Sequence, residues 1–178
     1  MECPWPLEDV SDDCILYRQV HSSQRVDKKR KFPKPSHFAF RANEDYLSFN
    51  WERHIDVQKN YDVIGITSNG NGGYLDIKQF TIFSFRVSEL RKMSDVKAVK
   101  HIPVWDESNQ PSLTGRPNNK SHAGLYCNEN NLAFRDEMSE FCEDMKNLIS
   151  FDRDKYLTEI SKLIARGNDT PYHKEWEF

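Results

Sequence analysis

The chain has 178 residues, a net charge of −3, 37% hydrophobic and 12% aromatic residues, and 30% charged residues. That composition suits one soluble domain with a modest appendage and excludes a disordered or collagen-like chain. No apolar run reaches the length of a membrane-spanning helix, and Met1-Glu-Cys-Pro-Trp-Pro6 has neither the basic nor the apolar region of a secretory signal, so a cytoplasmic location is expected.

In chain order, residues 1–13 are acidic, contain prolines and read as an N-terminal arm. Cys14–Val20 is a strand, rich in apolar and β-favouring residues. A basic segment follows. Arg25–Lys34 carries six bases and one acid, a net of +5, and Lys28, Lys29, Arg30 and Lys31 are its candidate contacts to the phosphates of a nucleic-acid partner. A solvated loop, or one facing the acidic helices of the same chain or of a partner, explains the same run. Two prolines, Pro33 and Pro35, argue against helix there. His37–Arg41 is expected as a short strand. Tyr46–Trp51 is another, with Leu47, Phe49 and Trp51 on one face by alternation. Tyr61–Thr67 also reads as strand, and Asn69–Gly73 as a hairpin turn rather than a phosphate loop, since the Gly-Lys-Ser/Thr ending is missing.

Residues 75–87 form an aromatic, β-branched segment. Ser88–Met93 is expected as one helical turn capped by Ser88. Val96–Ile102 and Ser121–Cys127 are strands joined by a polar loop. The end of the chain changes period. Phe134, Met138, Phe141, Cys142, Met145, Leu148 and Ile149 make one helical stripe. Asp152 offers a cap for a second helix bearing Tyr156, Leu157, Ile160, Leu163 and Ile164, and Gly167 ends it. From Glu129 to Lys162 nine acids face five bases, a net of −4.

These elements predict an α+β fold: a small, curved, mostly antiparallel sheet followed by a C-terminal helical hairpin. The expected divisions are an arm over 1–13, an α+β domain over 14–128, the hairpin over 129–167 and a tail over 168–178. The hairpin should cover one sheet face or form an interface.

For chemistry, His101 and His122 stand out as a candidate acid–base pair at strand ends, because imidazole titrates near neutrality. Asp106 or Cys127 could complete a metal site with them, although no close ligand pairs of the structural-zinc kind occur and no metal or other cofactor is expected. His37, Arg41 and Asn119 are candidate ligand-binding residues. Arg18, Arg41 and Arg86 lie in or beside strands, where a guanidinium must be paired or face a ligand. Ala123-Gly124 after His122 is expected to leave room beside the ring. The four cysteines form no CxxC pair and are expected as free thiols.

Ser36-His-Phe-Ala-Phe40, Leu47-Ser-Phe49, His101-Ile-Pro103 and Asn119-Lys-Ser-His-Ala123 occur in an order that resembles a group of small, uncharacterised bacterial proteins. Lys120 stands where that group has proline. The resemblance spans residues 36–126 and implies a small α+β domain with the His-Pro and His-Ala segments close together. It implies no activity, and it points to a partner-bound role in a multi-gene defence or mobile-element system. Two functions therefore follow from the sequence. One is an accessory module that docks on a protein partner, or on itself, through the C-terminal helices or an aromatic-rich sheet edge. The other is a small enzyme or nucleotide- or phosphate-binding domain that uses His101 and His122.

Overall fold

A computed structural model describes residues 3–25, 32–40, 44–67, 69, 71, 73, 75–105, 118–128 and 132–143. The fold is α+β. Six strands form one antiparallel sheet among these residues: β1 (Glu8–Asp9), β2 (Ile15–His21), β3 (Leu47–Trp51), β4 (Phe80–Arg86), β5 (Val96–His101) and β6 (His122–Cys127). Their order is β1-β5-β6-β3-β2-β4. Three helices accompany them: α1 (Val57–Ile66), α2 (Val87–Leu90) and α3 (Leu132–Glu143).

Alternation along the strands sorts the sheet into two faces. One carries Leu16 and Val20 from β2, Leu47, Phe49 and Trp51 from β3, Phe83 and Phe85 from β4, Val99 from β5, and Ala123 and Leu125 from β6, all in one buried cluster. The stripe of α3 (Phe134, Met138 and Cys142) joins this cluster, and Phe141 stacks on Phe85 at 5.3 Å. Ser139 Oγ fixes α3 by donating to Pro33 O at 2.7 Å, while Glu137 accepts from Ser94 N and Oγ at 2.7 and 2.5 Å. The other face is covered by α1, whose Tyr61 and Ile64 pack with Ile77, Ile82 and Tyr17.

The segment expected as a strand over Tyr61–Thr67 is the second half of α1. Asp56 caps that helix by accepting from Lys59 N at 2.7 Å, and Val57, Tyr61 and Ile64 recur at helical spacing. The β-branched run Val63-Ile64 favours strand locally, but the cap and burial against the sheet prevail. His37–Phe38 belongs to a 3-10 turn over Pro35–Phe38 rather than a strand, with proline at its first position, where a missing N–H costs nothing. Ser88 does not cap α2. The helix starts one residue earlier with Arg86 at its cap, and Ser88 N instead donates to Asp12 O at 3.0 Å. Arg41, the basic run Lys28, Lys29, Arg30 and Lys31, the second expected helix and the tail lie outside the described residues.

Candidate functional site

Strands β2 and β3 are paired only at Leu16–Trp51 and Tyr17–Asn50. Beyond that point they part, and the Arg18 side chain enters the gap. Its Nη1 donates to Ser48 O at 2.5 Å, its Nη2 to His37 O at 3.1 Å and its Nε to His37 Nε2 at 3.0 Å. The guanidinium also lies over the rings of Phe38 and Phe49 at 5.6 and 5.3 Å. Arg18 thus replaces ladder bonds that the parted strands lose, which satisfies carbonyls that would otherwise be stranded. Since His37 Nε2 accepts from Arg18, its Nδ1 carries the proton and donates to Gln24 Oε1.

A cleft of about 430 Å³ opens along this gap. His37, His122 and Asn119, three residues singled out in the sequence, line it together with Arg18 and His21. No carboxylate is among its described lining residues. His122 Nδ1 donates to Ile102 O at 2.8 Å, which directs the other ring nitrogen away from that carbonyl. Asn119 belongs to a buried amide relay. Its Nδ2 donates to Asn50 Oδ1 at 2.8 Å, Asn50 Nδ2 donates to Asn60 Oδ1 at 2.7 Å, and Asn60 Nδ2 donates to Asp56 O at 2.9 Å. Asn119 Oδ1 accepts from Ser121 N and Oγ at 3.0 and 2.6 Å. The relay ties α1 to β3 and to the entrance of β6, so Asn119 shapes one wall while its amide is occupied within the protein.

His101 and His122 do not meet in this cleft. The register pairs His101 with Ala123, so His101 shares the α3 face and its neighbour across the ladder, His122, points to the other. The room expected beside His122 is also taken. A Cβ on Gly124 would stand 2.7 Å from Ile102 Cδ1 and 3.1 Å from Tyr46 Cδ2. A side chain there would have to displace the end of Ile102 and press on the Tyr46 ring.

On its own face His101 meets two residues that sequence patterns did not single out, His54 and Glu8. The rings of His54 and His101 lie 5.0 Å apart, and the Trp51 indole packs edge-on against both at 5.3 Å. His101 Nε2 donates to Lys120 O at 2.5 Å, and His101 Nδ1 stands 3.9 Å from Glu8 Oε1. Burial, and secondarily His101, pushes the His54 pKa down to about 4, with Lys120 and Arg53 adding to the shift and Glu8 opposing it. No spacing rule links Glu8, His54 and His101; only the sheet brings them together. The four thiols are free, and burial raises Cys127 to about 11 and Cys142 higher still, which leaves both unreactive. No family model, curated protein or solved structure matches this chain.

Proposed function

We propose that the chain is a small-ligand-binding domain whose cleft between β2 and β3 takes a nucleotide-sized molecule bearing phosphate or carboxylate. The observation that carries this reading is the lining: one arginine and the imidazoles of His21 and His122. Such a lining favours anions, and the volume falls in the range of small-molecule pockets. Tyr17 and Phe80 supply flat apolar surface for a base or ring. Arg25 and Pro33, which flank the basic run Lys28, Lys29, Arg30 and Lys31 in the sequence, form a bridge next to Gln24, a lining residue. A sheet that curves around this opening, with α3 as the first member of a C-terminal hairpin acting as scaffold, completes the proposal.

The alternative of docking on a protein partner in a multi-gene system, where it runs through the C-terminal helices, needs apolar helical surface to spare. α3 spends Phe134, Met138 and Cys142 on the chain's own core, so that role falls to residues after Glu143. No helix among the described residues is long and apolar enough to cross a membrane.

Titration calorimetry with inorganic pyrophosphate and with nucleoside mono- and triphosphates tests the ligand reading. The expected result is binding that weakens with salt and is lost in Ser23→Trp, which fills the cleft rim without touching the core. No binding of any of these probes at low salt, or equal binding by Ser23→Trp, overturns it.

A further inference from the structure

We infer that Glu8, His54 and His101 form a binding site for one divalent first-row transition-metal ion, zinc foremost, with a coordination position left open. The site is separate from the proposed ligand cleft: His101 and His122 point to opposite faces of the sheet.

Three observations converge. First, the donor atoms of these side chains lie within 4.8 Å of one another. Ligands bound to zinc at about 2.0–2.2 Å in tetrahedral geometry stand roughly 3.3 Å apart. Small side-chain rotations close the difference, since His101 Nδ1 and Glu8 Oε1 are already 3.9 Å apart. Second, His54 Nε2 and His101 Nδ1 are both buried and both without a hydrogen-bond partner. Two such nitrogens facing one another are costly unless something sits between them. Third, His101 is oriented as metal-binding imidazoles are. A carbonyl can only accept, so the bond to Lys120 O places the proton on Nε2 and turns the Nδ1 lone pair toward Glu8 and His54.

The donor set selects the metal. Two imidazole nitrogens and one carboxylate oxygen suit zinc, iron(II), cobalt(II) or manganese(II), whereas calcium and magnesium prefer all-oxygen shells. Three protein ligands leave a fourth position to water, the arrangement of catalytic rather than structural zinc. The surroundings supply both support and competition. The Trp51 indole packs against both rings and fixes their planes. Arg53 Nη1 holds Glu8 Oε1 at 3.2 Å, but its side chain is 58% exposed and swings to solvent when a dication takes the carboxylate. Lys120 lies near enough for its charge to oppose a cation, while its carbonyl holds the far side of the His101 ring at Nε2. Glu8 comes from the two-residue strand β1, so a bound ion also fastens the N-terminal segment to the sheet.

The test uses the untagged full chain, freed of metal by chelator and dialysed, titrated with zinc, cobalt(II) and magnesium chlorides. Expected are one zinc site of micromolar or tighter affinity, a cobalt(II) visible spectrum with imidazole and carboxylate character, and no magnesium binding. Glu8→Gln is expected to weaken zinc at least tenfold and His54→Gln at least a hundredfold. Glu8 lies at the exposed sheet edge, so its variant tests the site even if one at the buried His101 does not fold. Cys3→Ser/Cys14→Ser should bind zinc as the wild type does. Absence of micromolar zinc binding overturns the assignment. So does wild-type affinity in both Glu8→Gln and His54→Gln, or loss of zinc in the cysteine variant.

Discussion

At the scale of single residues, the polar groups in this protein's interior are costly unless every partner is present. Asn60 is fully buried and holds both ends of its amide in the relay from Asp56 to Asn50. Asn60→Ala leaves the Asn50 amide without its acceptor, and we expect a loss of about 1–3 kcal/mol in urea unfolding. Asp62 carries the opposite sign. Burial, with Asp56 adding to it, raises its pKa from 3.8 to about 7. The folded state therefore holds a proton that the unfolded chain releases between about pH 4 and pH 7. Stability from this group is present at low pH and lost as pH rises through that window. Asp62→Asn should raise stability at pH 8 by about 1–3 kcal/mol, partial exposure reducing the full conversion of the shift. At pH 4 it should change little. Melting curves of both proteins across this range read the difference directly, and a constant difference would contradict the account.

At the scale of elements, α3 carries the most legible signal in the chain and the clearest energetic role. Its Phe134, Met138 and Cys142 are spaced as the sequence pattern requires, and all three are buried against the sheet. Phe134→Ala should cost about 3–5 kcal/mol, as a fully buried ring does. Phe141 is half-buried and stacked on Phe85, so Phe141→Ala should cost less, about 1–3 kcal/mol. Chemical denaturation of the two variants orders them. α1 shows the reverse case. Its Asp56 cap and the spacing of Val57, Tyr61 and Ile64 are present in the sequence, yet the β-branched pair within Tyr61–Thr67 outweighs them when that stretch is read alone. Propensity is a local quantity, and the helix is decided by what its face is buried against.

At the scale of the whole molecule, the sheet is bounded at one edge by an N-terminal segment that reads as an arm in sequence. Val10 is fully buried and its N–H donates to Val99 O at 3.0 Å. Arg91 holds the segment by donating to Val10 O at 2.7 Å and to Asp12 Oδ1 at 2.5 Å. The exposed pair with Asp12 contributes little, so the bond to the Val10 carbonyl is the tether that matters. Arg91→Ala should lower hydrogen-exchange protection at the Val10 amide while leaving the β2 and β4 amides unchanged. Equal loss throughout the sheet would mean that the segment is not a separable unit.

The sequence by itself determined the α+β class, the inward faces of β3 and α3, the free thiols and the presence of histidines at the ends of β5 and β6. Each of these rests on periodicity or composition within a short stretch, and such signals survive without knowledge of partners. Only the tertiary structure decided which histidines share a face. Placing β6 between β5 and β3 puts His122 on the cleft that His37 and Arg18 also line, and sends His101 to the face opposite His122, with His54 and Glu8. A strand's alternation says that neighbouring side chains part. Which of them meets a residue from elsewhere in the chain depends on strand order and register, and those are fixed by the burial of the sheet as a whole.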